Sequence, residues 1–247
     1  MNLYRVLRID EQLYGCEELP EGQPLLCDVL LETDNGEQRV LPYPDAELTR
    51  LDINEGDTVT LHDHKLAKAH KIYFTRHGET VWNVENKICG MTDSPLTEKG
   101  RAQARQLGEK IRESGVHIDE ILYSPLSRAA DTAKAIADAT GIPARCEPRL
   151  REQCFGRYEG TPRDGEEFRV SKTHFADRYS GGESMMQLAQ RIYNLLDELK
   201  ADTGKTYLLV AHNGIARVVQ SYFHDMTNEE YAAAGIKNCE FVEFVFQ

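Results

Sequence analysis

The chain has 247 residues, of which 40% are apolar and 28% charged, as is ordinary for a globular protein of one or two domains. Its net charge of −12 argues against nucleic acid and anionic membranes as partners. No apolar run is long enough to cross a bilayer, and residues 1–10 lack the apolar core of a secretory signal, so we expect a cytoplasmic protein. The six cysteines form no C-x-x-C pair and are interpreted as reduced thiols.

The acidic charge is unevenly distributed along the chain. Residues 1–70 contain 15 acidic and 6 basic residues, whereas the remainder contains 26 and 23. This asymmetry indicates two units with different roles. We expect a small β domain over residues 1–65, a linker over 66–70 and an α/β domain over 71–247.

Short strands and tight turns dominate the first 65 residues, which predicts a small all-β, barrel-like domain of SH3-like or OB-like type. An alternating segment from Tyr4 to Ile9 and an apolar run from Leu25 to Leu31 predict two strands. Asp34-Asn35-Gly36 predicts a hairpin turn, and Pro42 and Pro44 are expected to end the strand that follows it. No helix of convincing length is predicted here.

From Lys71 onward, predicted strands alternate with predicted helices. The strands are 71–75, 121–123, 206–211 and 241–246. The helices start at Thr97, at Ser124-Pro125, at Glu183, at Gly214 and at Thr227, and Gly141 is expected to stop the second. This pattern predicts a mostly parallel sheet with helices on both faces.

Two histidines follow predicted strands. Arg76-His77-Gly78 comes after strand 71–75, and His212-Asn213-Gly214 comes after strand 206–211. Ligands bind outside the carboxyl ends of strands in open α/β sheets, so both histidines are expected at one site. Each His-Gly pair alone is weak evidence, because a histidine after a strand is more often a hydrogen-bonded core residue.

Thr75 to Asn83, with the sequence TRHGETVWN, resembles the nucleophile motif of the histidine phosphatase superfamily, which includes the cofactor-dependent phosphoglycerate mutases. Further segments follow in the family's order: 89–97, 124–129, 150–160, 181–184 and 211–214. The resemblance covers Lys71 to Gln247 and implies the phosphoglycerate mutase-like fold.

The resemblance implies that His77 accepts the phosphoryl group and becomes a phosphohistidine. Neutral imidazole offers a lone pair at physiological pH, and fixed donors must surround the charge on the transferred group. The family's phosphate-binding arginines match Arg76 and Arg128, and its second histidine matches His212. Further phosphate or substrate contacts are implied at Asn83, Cys89, Gly90 and Asn213.

Glu152 matches the family's acid/base residue, and the nearby Glu159 does not. A carboxylic acid beside the leaving oxygen can donate a proton, and the carboxylate can then accept one from the attacking water. Two positions depart from the family. Cys89 stands where a hydroxyl residue is frequent, and Asn213 where glycine is common.

Residues 161–180 are expected to form a cap over the site. The cap contains four basic residues: Arg163, Arg169, Lys172 and Arg178. They could bind a second anionic group on the substrate or form an ordinary solvated face, and the sequence leaves both interpretations open.

A phosphatase is favoured over a mutase. Mutases of the superfamily carry a tyrosine, preceded two residues earlier by arginine, after the acid/base glutamate, whereas this chain has Phe155 and Gln153 there. We expect a metal-independent phosphatase for a small-molecule phosphomonoester, without a cofactor or a metal site. His62 and His64 are interpreted as part of a solvated connector rather than as metal ligands. The alternatives are mutase-type phosphoryl transfer and a scaffold whose N-terminal β domain recruits a partner; a homodimer is left open.

Overall fold

The computed structural model describes residues 2–12, 24–33 and 35–246. The chain forms two compact units that divide between His70 and Lys71. Within the described residues, no helix combines the length and the apolar character that a membrane span requires.

The first unit is a five-stranded antiparallel sheet in the order β3-β2-β1-β4-β5. Its strands are β1 (Asn2–Glu11), β2 (Leu26–Glu32), β3 (Gln38–Pro44), β4 (Thr58–His62) and β5 (Lys65–Lys68). Alternate side chains pack into one core, in which Val6, Val29, Leu31 and Val59 are completely buried. The predicted strands are therefore present, and closure into a barrel stays a prediction.

Pro42 does not end a strand, because it lies inside β3. β3 is an edge strand of the described sheet, where a residue without an N–H is tolerated. Helix α1 (Asp45–Arg50) follows Pro44 and is short, so it does not contradict the expectation of no helix of convincing length. Its acidic first turn and basic last residue suit the helix dipole, but six residues are too few to give a recognisable period. Of the predicted turn, Asn35-Gly36 connects β2 and β3, and Asp34 lies outside the described residues.

The predicted linker over 66–70 overlaps a strand, because Leu66 to Lys68 belong to β5. Asp63 and His64, interpreted as part of a connector, form the tight turn between β4 and β5. Both have positive φ angles (47° and 62°), the backbone geometry of a two-residue hairpin. The strands are short and partly polar, which is why the sequence did not reveal this hairpin.

The second unit is a five-stranded sheet in the order β10-β6-β9-β7-β8, parallel except for β10. Its strands are β6 (Lys71–Arg76), β7 (Glu120–Tyr123), β8 (Ala144–Cys146), β9 (Tyr207–Ala211) and β10 (Phe241–Val245). Its helices are α2 (Val81–Val84), α3 (Glu98–Ser114), α4 (Ser127–Thr140), α5 (Glu166–Ser171), α6 (Met185–Ala201), α7 (Asn213–Phe223) and α8 (Asn228–Ala233).

Helices cover both faces of this sheet, as predicted. On one face, Leu188 and Ile192 of α6 and Val218 of α7 pack in the cluster that contains Phe74 and Leu209. The opposite face carries a second cluster, formed by residues of α3 and α4 with alternate strand residues. All five residues of β9 are buried, which suits a central strand.

The ends of the helices follow local rules. Thr97 accepts the Gly100 N–H and caps α3, as predicted, and Gly141 ends α4 in the left-handed conformation with φ 77°. The prediction that α4 starts at Ser124-Pro125 was wrong. The helix begins at Ser127 without a side-chain cap, and Ser124 Oγ accepts both the Leu126 N–H at 3.4 Å and a histidine N–H at 2.7 Å. Three short elements, α2, β8 and α5, were not predicted.

Candidate active site

Strand register brings the two histidines together. β6 and β9 pair in parallel with Arg76 opposite Ala211, so the next residues, His77 and His212, leave the sheet side by side. The His77 N–H donates to the Ala211 carbonyl at 3.0 Å, and the two imidazole rings lie 5.1 Å apart, centroid to centroid. The expected convergence at the carboxyl end of the sheet is therefore present.

His77 is held as one neutral tautomer. Its Nδ1 lies 2.7 Å from the Gly78 carbonyl, which can only accept, so Nδ1 carries the proton and Nε2 keeps its lone pair. Burial, reinforced by the Arg128 and Arg76 guanidinium groups, holds the pKa of His77 well below its usual value. The ring is therefore an unprotonated nucleophile at neutral pH.

His212 is held as the opposite tautomer. Arg128 Nε donates to His212 Nδ1 at 3.2 Å, so the proton resides on Nε2, which donates to Ser124 Oγ at 2.7 Å. Complete burial, followed by the charge of Arg128, holds the pKa of His212 well below its usual value. Both ring nitrogens are engaged, and the ring is fixed behind His77.

Arg128, at the start of α4, is only 1% exposed. Besides His212, it binds a loop through two carbonyls: Nη1 donates to the Thr92 carbonyl at 3.1 Å, and Nη2 donates to the Gly90 carbonyl at 2.7 Å. Asp93 Oδ1 lies 3.4 Å from Arg128 Nη1 and supplies the nearest opposite charge. The position of this guanidinium therefore depends on the loop over residues 90–93.

Glu159 fastens that loop. Its carboxylate accepts four backbone N–H groups at 2.9–3.1 Å, from Gly90, Met91, Thr92 and Phe155. A carboxylate that accepts this many N–H groups holds the backbone firmly, because each bond is charge-assisted. Glu159 thus acts on the site through the loop whose carbonyls bind Arg128, which the sequence did not indicate.

Glu152, the predicted acid/base residue, is 6% exposed, and its carboxylate lies against the first turn of α7. Its Oε2 accepts the Gly214 N–H at 3.0 Å, and its Oε1 accepts the Gln153 N–H at 2.9 Å. A β-carbon on Gly214 would collide with this carboxylate, so a larger residue there would have to displace Glu152. From α6, Arg191 forms a bidentate pair with Glu183 and donates to the Arg149 carbonyl, which supports the segment leading to Glu152.

Arg76 has an unsatisfied hydrogen-bond donor. Its Nη1 donates to the Ile236 carbonyl at 3.3 Å, but its buried Nε has no hydrogen-bond partner among the described residues. Burial, followed by the charge of Arg163, lowers its pKa to about 10, so it stays protonated at neutral pH. A buried cationic donor without a partner indicates a site for an anion.

A cavity of about 140 Å³ opens in front of these residues. Of the predicted site residues, its wall includes Arg76, His77, Asn83, Cys89, Glu152 and Asn213. The predicted contacts at Gly90, Arg128 and His212 lie behind the wall, and the Gly90 N–H is already bonded to Glu159. Burial raises the pKa of the Cys89 thiol to about 11, and the thiol donates to the Thr92 carbonyl.

Three further cations line the same wall: Arg163, Lys172 and Arg217. Arg163 and Lys172 belong to the expected cap, which contributes Phe168 of α5 as well. Arg178 of the cap faces elsewhere. Arg217 was not predicted as a site residue, although its place three residues after Gly214, near the start of a helix that follows a strand, was an available signal.

The acids and histidines of the described residues form no group of three or more that could hold a metal ion. The positive charge at the cavity comes from guanidinium and ammonium groups.

Comparisons with known proteins agree with this geometry. A family model for the histidine phosphatase superfamily (branch 1) matches residues 72–247. The Yersinia pestis (strain Pestoides F) protein named "Probable phosphoglycerate mutase GpmB" is 40% identical over 150 residues, covering 58% of this chain and 69% of that protein.

Two solved structures are also similar. A mycobacterial glucosyl-3-phosphoglycerate phosphatase has 28% identity and a TM-score of 0.61, with 71% of this chain and 90% of that chain covered. YhfR of Bacillus stearothermophilus has 30% identity and a TM-score of 0.61 over the same shares. The family match covers almost all of the second unit and more than half of the chain. The chain therefore belongs to the histidine phosphatase superfamily (branch 1) and is a phosphoric monoester hydrolase.

Proposed function

We propose that the protein hydrolyses a small-molecule phosphomonoester in two steps, through a phosphohistidine on Nε2 of His77. The observation that carries this proposal is the neutral His77 tautomer, whose Nε2 keeps its lone pair in a cavity bordered by Arg76 and Glu152. No added metal ion is needed in this scheme, because Arg76 and Arg128 supply the positive charge at the reacting phosphoryl group.

In the first step, the Nε2 lone pair forms the N–P bond while the ester P–O bond breaks. Glu152, in its protonated form, gives its proton to the departing oxygen, so the alcohol leaves neutral. Arg76, whose Nε has no other partner in the described structure, binds the oxygens on which charge accumulates. Arg128 and His212 act from behind His77, where Arg128 adds positive charge and both fix the geometry.

In the second step, water attacks phosphorus and the N–P bond breaks. The Glu152 carboxylate takes the proton that the water loses, so inorganic phosphate leaves and both residues return to their starting states. The hydrogen bond from the Gly214 N–H holds Glu152 in place during both steps.

Transfer to a second alcohol, as in a mutase, is the competing function. The relative from Yersinia pestis carries a mutase name, whereas the mycobacterial structure is called a phosphatase. The residues beside Glu152 favour hydrolysis. Gln153 and Phe155 stand where mutases have arginine and tyrosine, and Gln153 is directed to the Glu183 carbonyl at 2.9 Å. We therefore infer that water is the acceptor.

A turnover screen over many phosphomonoesters, with chelator and without added metal, tests this function. We expect the native protein to release inorganic phosphate and His77→Ala to release none above background. In ¹⁸O-labelled water, the released phosphate should carry the label. Activity that survives His77→Ala, or that requires a divalent ion, contradicts the mechanism, and transfer to an added alcohol in place of water supports the mutase alternative.

A further inference from the structure

A larger cavity adjoins the catalytic cavity. This second cavity, of about 460 Å³, shares four lining residues with the first: Phe155, Lys172, Gly214 and Arg217. The catalytic cavity, at about 140 Å³, has room for a phosphoryl group and little more. The alcohol part of a larger substrate must therefore extend beyond it, and the second cavity, called the side cavity below, begins at the same wall.

Aromatic and apolar residues form about half of the wall of the side cavity, and polar and charged residues, Arg169 and Glu229 among them, form the rest. Its wall includes Phe155, Phe175, Tyr179, Met185 and Tyr231. Tyr179 is only 5% exposed, and its ring contacts the edge of the Phe155 ring with a centroid separation of 5.7 Å. Such a wall, in a cavity of several hundred cubic ångströms, is typical of sites that bind an organic body by burying its apolar surface.

Two cations stand where the two cavities join. Lys172 and Arg217 line both cavities, and neither forms an ion pair with a carboxylate in the described part of the chain. Arg217 Nε donates to the Ala234 carbonyl at 2.8 Å, while Lys172 Nζ lies 4.4 Å from the centroid of the Phe168 ring. Lys172 is thus held by an aromatic face rather than by an acid, which leaves its donors open to a ligand.

This positive charge is larger than one phosphoryl group requires. Arg76 and Arg128 already serve the reacting phosphate, and Arg163, Lys172 and Arg217 add three cations to the same wall. Burial, followed by Arg217 and Arg163, lowers the pKa of Lys172 to about 8, so these cations repel one another. Accumulated cations in a protein of net charge −12 indicate a second anionic partner.

We propose that the substrate is a phosphomonoester of an acidic alcohol with a ring-sized apolar body. The body occupies the side cavity, and a carboxylate or other anionic group close to the ester binds Lys172 and Arg217. This inference rests on the proposed function, since it assigns the substrate class of the same site. Of the basic residues in the cap, Lys172 then binds the anionic group of the substrate, whereas Arg178 is part of a solvated face.

Four synthetic monoesters test the proposal: phenyl phosphate, 3-carboxyphenyl phosphate, propyl phosphate and 3-carboxypropyl phosphate. They vary the ring and the second charge independently. Comparisons are made within the aryl pair and within the alkyl pair, so that the leaving groups are chemically matched. We expect the native protein to have a higher kcat/KM on 3-carboxyphenyl phosphate than on phenyl phosphate. It should likewise have a higher kcat/KM on 3-carboxypropyl phosphate than on propyl phosphate. Equal kcat/KM within each pair overturns the role of the second charge.

Lys172→Met keeps the length of the side chain and removes its charge. It should lower kcat/KM about tenfold for both carboxylated esters, mainly through KM, because one charge-assisted contact is lost. The two neutral esters should change by less than about twofold. Arg178→Met, which removes a cap cation outside both cavities, is the matched control and should change neither pair. Equal losses on charged and neutral esters would show that Lys172 serves only the reacting phosphate, which contradicts the proposal.

Thr173→Trp tests the place of the apolar body, because Thr173 is exposed at the wall of the side cavity. The added indole should raise KM for the phenyl esters and leave the propyl esters unchanged. If KM changes equally for all four esters, the apolar body does not lie in the side cavity. If the native protein hydrolyses these esters and His77→Ala does not, the proposed function stands whatever these comparisons show. If the native protein hydrolyses no phosphomonoester, the function and this inference fail together.

The pH dependence gives an independent readout. Lys172 faces Arg217 and Arg163, which lower its pKa, and Glu152, which raises it, with burial as the largest influence. As the pH rises through about 8, Lys172 loses its proton, so the native preference for carboxylated esters should fall. The preference of Lys172→Met should vary less over the same range. A native preference that is constant from pH 6 to pH 9 would contradict the role of Lys172.

Discussion

The tautomer of His77 decides which nitrogen can attack phosphorus. The Gly78 carbonyl holds the proton on Nδ1, and Arg128 and Ser124 hold the opposite tautomer on His212. Both arrangements depend on backbone carbonyls and on side chains distant in sequence. The ordered motifs therefore predicted which residues form the site, but they could not predict the protonation pattern that makes His77 a nucleophile.

Glu159→Gln tests whether the loop over residues 90–93 positions Arg128. Glutamine has one acceptor oxygen, and its amide N–H₂ would face the N–H groups that the carboxylate now accepts. We expect kcat to fall about tenfold with a smaller change in KM, because the displaced guanidinium matters most when charge develops. Steady-state kinetics on one monoester measure this.

Glu166→Gln is the matched control for Glu159→Gln, because Glu166 is an exposed residue of α5 that makes no contact with the loop. It should have native kinetics. If Glu159→Gln behaves in the same way, the loop does not position Arg128. The family motif contains Glu159, but its partners are backbone atoms, and no spacing in a sequence shows which N–H groups converge on a carboxylate.

Among the elements, α3 meets the nucleophile segment at a glycine contact. A β-carbon on Gly100, in the first turn of α3, would collide with the backbone of Glu79, and one on Gly78 would collide with the backbone of Gly100. The helix can therefore approach the segment after His77 only because both residues lack side chains.

Gly100→Ala should push α3 away from the segment that follows His77. We expect at least about a tenfold loss of kcat/KM, together with a loss of stability of about 1–3 kcal/mol from overpacking. Turnover and urea unfolding measure the two effects. Gly204→Ala is the control, since its β-carbon would meet nothing closer than Asp202 Oδ1 at 3.7 Å. Native turnover in Gly100→Ala would show that the contact can relax without moving His77.

The longer elements of the second unit followed from sequence periodicity and capping residues. Thr97, Gly141 and the Thr227 capping box mark helix ends where local chemistry decides the backbone. The start of α4 could not be found in this way, because the helix begins only at Ser127, whereas Ser124 Oγ accepts the Leu126 N–H and the N–H of the distant His212. The Ser124 side chain therefore serves the site as well as the backbone that leads into the helix.

Across the whole molecule, the chain consists of two units with separate cores. The first unit has its own buried cluster, which includes Leu31, and the residues of the candidate site all belong to the second unit. The sequence predicted this division from charge and pattern. It did not predict β5, the last strand of the first unit, because a strand of four residues with one buried side chain has too little alternation between buried and exposed positions to be recognised.

Leu31→Ala tests whether the first unit contributes to catalysis. Leu31 is completely buried, so the cavity should destabilise the first unit by about 2–5 kcal/mol. Hydrogen exchange should show faster exchange in β1, β2 and β3, while turnover stays native. Val40→Ala, at an exposed position of β3, is the control and should change neither. A parallel loss of turnover in Leu31→Ala would mean that the first unit supports the site.

The central claim is that His77 carries the phosphoryl group on Nε2, and trapping the intermediate tests it most directly. The native protein is mixed with a monoester labelled in its phosphoryl group, quenched in alkali within milliseconds, digested and analysed by mass spectrometry. We predict label on the peptide that contains His77, at Nε2, and none in His77→Ala. Label on Nδ1, label on another residue, or phosphate release without any labelled histidine would contradict the account.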